Sequence, residues 1–254
     1  MISRRIKEHV KAQNWFAVGV DFLIVVVGIL LAFQITEWAQ ARSDRAREMQ
    51  IIGDLLADLD IDRAQYANGI AYDEHRVSAA NASLAGAGLP PIEFDWAMSS
   101  TDVVDYSFEI SKLSSFPAGR IDRLWSDVVL GFHPTPSTST YDTMVGSGDI
   151  KVIRDRRLIR EIQAYHNLAQ SVNAQNEKLL SIREDVVNFG ASLGLAPYLE
   201  MPAEEYFRLV AGDPQLAAVI RIMATFAIYH HGEIKTADAK AAELQMLLGE
   251  YLGR

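Results

Sequence analysis

A long apolar stretch covers residues 15–35 and is interrupted only near its ends, by Asp21 and Gln34. At about 1.5 Å per residue, a helix of this length spans about 30 Å, which is the thickness of the hydrocarbon core of a bilayer. Trp15 and Trp38 flank the stretch, as expected of aromatic anchors at the two membrane interfaces. We therefore predict a transmembrane helix between these two tryptophans.

Two other interpretations of the stretch are open. A buried helix of a soluble protein is rarely apolar around its whole circumference over this length. A cleaved signal peptide is the closer rival, because a basic start, an apolar run and the small-residue pattern Ala39-Gln40-Ala41 fit a cleavage site. However, no glycine or proline interrupts the sequence between Gln34 and Ala41, which favours a helix that continues into the rest of the chain.

Small and polar residues within the stretch are candidate contacts with another membrane helix. Gly19 and Gly28 allow a neighbouring backbone to approach closely, and Gln34 can form a hydrogen bond inside the membrane. Asp21 and Gln34 lie about 140° apart around a helix, so one can face a neighbour while the other reaches the headgroups. The alternative is that both side chains extend to the nearer headgroups. The predicted partners are thus the lipid bilayer and other transmembrane helices, including a second copy of this chain.

Beyond this stretch, apolar residues recur at spacings of three and four, which predicts three long helices that pack along seams. The first continues the membrane helix as far as Gly86–Pro91, where glycines and prolines end it. Arg63 and Asp73 occupy two positions of its seam. The other members of that seam are Met49, Ile52, Leu56, Leu59, Tyr66, Ile70, Val77, Ala80 and Leu84.

The second long helix is predicted to begin at an N-cap, Asp155, and to end before Gly194–Pro197. The third is predicted to begin at Asp213-Pro214, an N-cap followed by a proline at the first helical position. His230 is the only polar residue in the seam of the third helix. Its other members are Leu216, Ile220, Met223, Ala227, Ile234, Ala237, Ala241, Leu244, Leu248 and Tyr251. These patterns predict an all-α protein in which one N-terminal transmembrane helix continues into an elongated antiparallel helical bundle.

The region between the first two long helices is mixed. Short helices are predicted around residues 102–113 and 120–130, and the prolines and hydroxyl residues of 132–140 predict a loop. Gly146–Asp149, the sequence GSGD, predicts a tight turn; it lacks the lysine and the following helix start of a phosphate-binding loop.

The net charge of the chain is −9, yet its first fourteen residues carry +3. The acidic remainder argues against nucleic-acid binding, which needs clustered Lys and Arg. The absence of Cys excludes disulfides, thiolate metal sites and Cys nucleophiles. The short basic start favours a cytoplasmic N-terminus, because a long acidic domain is translocated largely regardless of its charge. We therefore expect a cytoplasmic tail over residues 1–14, the transmembrane helix over 15–38, and an extracytoplasmic bundle over 39–254, in the periplasm of a bacterium.

Candidate chemistry is sparse. Asp54, Asp58 and Asp62 share one helix face and could gather a cation, although a solvated face is the simpler interpretation. His230 fits a hydrogen-bonded core histidine, and a metal site there would require His166 or a carboxylate to converge on it. The adjacent His231 points to another side of the helix. No catalytic or cofactor signature occurs, so neither an enzyme nor a bound cofactor is expected.

The segment VDFLIVVVGILLAFQITEWAQ resembles the anchor of a widespread bacterial family of single-pass membrane proteins, a domain of unknown function. In that family an acidic residue precedes a Val/Ile/Gly-rich run that ends in Gln and, a few residues later, Trp. Asp21, Gly28, Gln34 and Trp38 fall on those positions, with Asp21 where the family more often has Glu.

A second segment, TYDTMVGSGDIKVIRDRRLIREIQAYHN, resembles the family's other signature, with Tyr165-His166 where the family often has two tyrosines. The resemblance favours a membrane protein and implies no activity, cofactor or site residue. We expect a non-enzymatic structural or interaction protein of the inner membrane, an accessory or scaffolding subunit of a membrane complex. The alternative is a ligand-sensing periplasmic module, because bundles can bind small molecules between helices.

Overall fold

The computed structural model describes the backbone of residues 15–92 and 104–253, with side chains from residue 19 onward. The predicted tail over residues 1–14 and the side chain of Trp15 lie outside the described residues. The described residues form helices joined by loops and contain no strand, which confirms the all-helical class. The chain divides after Gln50 into two compact units.

The first helix, α1, runs without interruption over Trp15–Gly86. This confirms both the apolar helix and its predicted end, where Gly88 adopts a left-handed backbone with φ 72°. Within the described residues, α1 is the one single helix that is long and apolar enough to cross a membrane, and none of its apolar window is buried. The large apolar side chains between Val20 and Trp38 are exposed, with Phe22 at 69%. That exposure suits a lipid environment.

Short elements follow α1. They are 3₁₀ turns over Ile110–Lys112 and Ala118–Arg123, helix α2 over Leu124–Val129, helix α3 over Ser139–Ser147 and a 3₁₀ turn over Asp149–Val152. The helix predicted around 120–130 is confirmed, and so is the turn at Gly146–Asp149, where Gly148 has φ 79°.

Two predictions for this region are wrong. Over 102–113, whose first two residues lie outside the described ones, only Ile110–Lys112 is helical, as a 3₁₀ turn. Asp105 accepts a hydrogen bond from the amide of Ser107, a local turn that competes with helix formation. The predicted loop 132–140 ends early, because α3 already begins at Ser139.

Helix α4 spans Arg156–Ser192, helix α5 spans Ala203–Gly212 and helix α6 spans Pro214–Leu252. Both predicted N-caps are confirmed. Asp155 accepts hydrogen bonds from the second and third amides of α4, and Asp213 does the same for α6. Helix α5, which had not been predicted, meets α6 at a bend of 103°.

The second unit packs its long helices around two apolar clusters. One cluster joins the Ile51–Tyr66 part of α1 to the first half of α4 and the second half of α6. The other joins the end of α1 to the end of α4 and the first half of α6. Helix α4 therefore runs in the direction of α1, and α6 runs antiparallel to both. Most apolar residues of the predicted seams are buried in these clusters or packed against them. Two members of the first seam are more exposed, Met49 at 37% and the Arg63 side chain at 41%.

Candidate functional site

Four polar side chains lie between the two apolar clusters, and we call them the buried polar layer: Asp73 and Arg76 of α1, Asn176 of α4 and His230 of α6. None is more than 5% exposed. On each helix, the layer residues fall where one apolar cluster ends and the other begins. The layer is therefore a polar interruption of the core, and buried polar groups of this kind need hydrogen-bond partners.

His230 is held between two acceptors. Its Nδ1 lies 2.6 Å from Asp73 Oδ2, and its Nε2 lies 2.9 Å from Asn176 Oδ1. The amide orientation of Asn176 is set because its Nδ2 donates to a backbone carbonyl at 2.6 Å. Both imidazole nitrogens of His230 therefore face acceptor oxygens.

One carboxylate, that of Asp73, is the partner of both basic side chains of the layer. Asp73 pairs with His230 through Oδ2 and with Arg76 through Oδ1, at 3.2 Å from Arg76 Nη1. Arg76 and His230 thus share one carboxylate, and Arg76 Nε has no hydrogen-bond partner among the described residues. Because its polar groups face one another, the hydrogen bonds of the layer can form in only one axial register of α1, α4 and α6.

A loop covers the layer: residues 130–138, between α2 and α3, which we call the strap. The carbonyl of Pro134 accepts the hydrogen bond from Asn176. The amide of Ser137 donates to Asp62 Oδ1 at 2.8 Å. The strap is thereby attached to α4 and to α1.

The strap also brings a third histidine to the layer. The ring of His133 lies edge-on to that of His230, with centroids 5.7 Å apart. Both His133 nitrogens are buried and have no hydrogen-bond partner within the described ranges. Burial lowers the pKa of His133 to about 4, with the charges of Arg76, His230 and Arg183 acting in the same direction. At Gly131 a Cβ atom would lie 1.6 Å from Arg76 Nη2, so a larger residue there would displace the Arg76 guanidinium.

A second buried group lies beside the strap. The hydroxyl of Tyr165 donates to Asp62 Oδ2 at 2.6 Å and lies 3.2 Å from the hydroxyl of Tyr66. Burial raises the pKa of Asp62 and of both tyrosines. The Asp62 carboxyl group thus accepts two hydrogen bonds inside the protein, from the hydroxyl of Tyr165 and from the amide of Ser137.

The acidic face predicted on α1 is divided by this arrangement. Asp54 is exposed and Asp58 is intermediate, whereas Asp62 is fully buried at 0% exposure. The interpretation of all three as one solvated face is wrong for Asp62, because the strap covers that turn of α1. No group of three or more metal-ligating side chains occurs in the described part of the chain.

The three histidines considered in the sequence, His166, His230 and His231, do not converge on one site. His230 is the hydrogen-bonded core histidine that the sequence predicted, and the carboxylate that reaches it is Asp73. His166 instead stacks on Tyr141 with centroids 3.9 Å apart. The adjacent His231 lies 3.5 Å from Glu74, on a different side of α6.

The predicted membrane contacts lie on exposed parts of α1. Gly19, Asp21, Gly28 and Gln34 are all exposed, and a Cβ atom at either glycine would meet nothing within 4 Å. The guanidinium of Arg42 lies 5.8 Å from the ring centroid of Trp38, a cation–π distance. These positions are accessible to a neighbouring helix, and their role remains a prediction.

A groove of about 600 Å³ runs between α4 and α6. Its surface is mostly apolar, with Ala164, Leu168 and Ala239 among the lining residues. Lys240 lies at the groove, but its ammonium group is already paired with Glu161 and with Glu243.

Comparison with family models, with curated proteins and with solved structures finds no match to this chain.

Sequence reasoning missed the strap and the role of Asp73. A signal was present, since Asp73 is one of two polar residues in the seam of the first helix, with Arg63, and His230 is the one polar residue in the seam of the third. Two such residues can pair when the helices align them. His133 gave no signal, because its proline-rich surroundings indicate only a loop.

Proposed function

We propose that this chain is a non-enzymatic, single-pass membrane protein that acts as a structural or interaction subunit, an accessory or scaffolding component of a membrane protein complex. The observation that carries the proposal is the continuous helix α1, which exposes large apolar side chains from Val20 to Trp38 and continues to Gly86 in the packed helical body. A helix of this kind connects a bilayer directly to a folded body.

The chemistry of the body supports an interaction role over catalysis. The titratable residues of the buried polar layer pair with one another and are covered by the strap. Asp73 and His230, whose pairing is that of a general acid–base couple, are each at most 1% exposed. A general base must reach a substrate proton, and these two side chains face the core.

Purification of the full chain from native membranes in mild detergent tests the proposed function. We expect partner proteins in fixed stoichiometry. Recovery of the chain alone, with no partner under conditions that preserve other membrane complexes, would contradict a scaffolding role.

The proposed orientation has the N-terminus in the cytoplasm and the body in the periplasm of an inner membrane. Reporter fusions after Arg254 test it: a reporter that functions only outside the cytoplasm is expected to be active. Activity of a cytoplasm-only reporter would reverse the orientation. A mature N-terminus near Arg42 would replace the anchor with a signal peptide.

The proposed contact of α1 with another membrane helix is testable by photo-crosslinking in native membranes. Crosslinkers at positions 19, 28 and 34 are expected to capture a membrane protein or a second copy of this chain. Tyr72, which is 51% exposed in the body, provides a control position. Capture at the control alone would leave α1 as a passive tether.

The second candidate function is a ligand-sensing module, and the groove between α4 and α6 favours it. Mostly apolar clefts of this size are typical of small-molecule sites. In this case a small molecule stays with the purified protein, and Ala239→Trp, which fills the groove, abolishes its retention. The same substitution at an exposed position outside the groove, Ala71→Trp, serves as the control.

A further inference from the structure

The strap closes over a layer in which two basic side chains share one carboxylate. Arg76 lies against Gly131 at one point of the strap, and the ring of His230 lies against the ring of His133 at the next. Asp73 is the single carboxylate of the layer, and its two oxygens pair with these two side chains.

The groups that surround His133 disfavour its protonated form. From α1 it faces Arg76, whose guanidinium pairs with Asp73. From α4 it faces Arg183, and from α6 it faces His230. An imidazolium at His133 would add a positive charge beside these basic groups, with both N–H groups buried and without an acceptor among the described residues.

We propose that the strap is an acid-sensitive clamp, in which protonation of His133 releases residues 130–138 from the buried polar layer while α1, α4 and α6 stay packed. Release places the charged ring in water, where it is solvated. It frees Asn176 Nδ2 and the Asp62 carboxylate from their strap partners. The fully buried residues of the two apolar clusters include no strap residue, and only Leu130, at the start of the strap, packs against one of them, so the clusters keep the helices together.

The size of the effect follows from the difference in proton affinity between the closed and released strap. The pKa of His133 is about 4 in the closed strap and is expected to return to about 6.5 in the released strap. The strap-opening constant is then expected to rise by up to about tenfold between about pH 7.5 and about pH 5.5, because only the released state takes up the proton. This regulation is independent of the proposed scaffolding role.

Hydrogen exchange of the full chain in detergent, read by mass spectrometry and corrected for intrinsic exchange rates, tests the clamp. We expect strap peptides to lose protection at the lower pH while peptides from the middle of α4 and α6 keep theirs. Equal strap protection at both pH values would overturn the proposal. Loss of protection in all three regions together would overturn it too, because the helices would then have separated.

Two variants make the test specific. His133→Phe keeps a ring that cannot be protonated, so the pH response of the strap should disappear. His166→Phe is the matched control, since it removes another buried histidine, which stacks on Tyr141 of α3 and not on a strap residue, and it should leave the response intact. A His133→Phe protein that responds like the wild type would refute the clamp.

Arg183→Gln provides a second route if His133→Phe does not fold. Loss of one neighbouring cation makes protonation of the closed strap easier, so the proton affinities of the two states become more alike. The pH response should therefore shrink, and an unchanged or larger response would count against the proposal.

Discussion

Replacement of Asp73 by Asn is expected to destabilise the body strongly. The substitution keeps the size of the side chain and removes the one negative charge of the buried polar layer. His230 and Arg76, each 1% exposed, then lose their common counter-ion. Removal of one partner from a buried ion pair typically costs about 3–5 kcal/mol, because the remaining charge is left uncompensated.

The magnitude can be compared with that of an exposed pair between the same two helices. Arg63 and Asp238 lie 2.9 Å apart, and their side chains are 41% and 31% exposed. Water solvates both groups, so Asp238→Asn should cost less than about 1 kcal/mol. The two variants make the same chemical change on helices that pack together, and they differ in burial.

The assay is denaturant unfolding of the full chain in a mild detergent, followed by far-UV circular dichroism. Since folded domains are typically stable by about 5–15 kcal/mol, the Asp73→Asn variant should unfold at a clearly lower denaturant concentration. A loss no greater than that of Asp238→Asn would refute the conclusion that the layer is buried and charged. A double-mutant cycle with His230→Gln should show coupling of at least about 1 kcal/mol.

Three further predictions concern the stability of the body. Leu244→Ala should lower the free energy of unfolding by about 2–5 kcal/mol, measured by denaturant unfolding, because Leu244 is 1% exposed. Met246→Ala, at a residue that is 66% exposed, should be nearly neutral. Equal losses would contradict burial of the end of α6. Asp213→Ala removes the N-cap of α6 and should cost about 0.5–2 kcal/mol, and unchanged stability would show that the cap is dispensable. Burial lowers the pKa of His166 and of His231 below about 6.5, so the unfolded chain binds protons more readily than the folded one. The folded state should therefore keep its full stability above about pH 6.5 and lose stability as the pH falls below that value. Thermal unfolding at several pH values tests this, and a rise in stability at low pH would contradict it.

Features of the fold that depend only on neighbouring residues can be predicted from the sequence. The apolar helix, its end at Gly86, the N-caps at Asp155 and Asp213 and the buried seams all follow from patterns within one or two helical turns. Such patterns are local, because a helix needs only its own backbone hydrogen bonds, its caps and one apolar stripe. The helix predicted around residues 102–113 is an exception, because the side chain of Asp105 forms a local turn that competes with the helix.

Only the tertiary structure decided which polar groups meet. Asp73 and His230 are separated by 157 positions, and they pair because α6 runs antiparallel to α1 in one particular axial register. Their periodicity marks both as seam residues but carries no information about register, which depends on the packing of the two apolar clusters. The place of His133 depends on the same packing, since a loop has no repeating pattern and its path is set by Asn176 and Asp62 on two different helices.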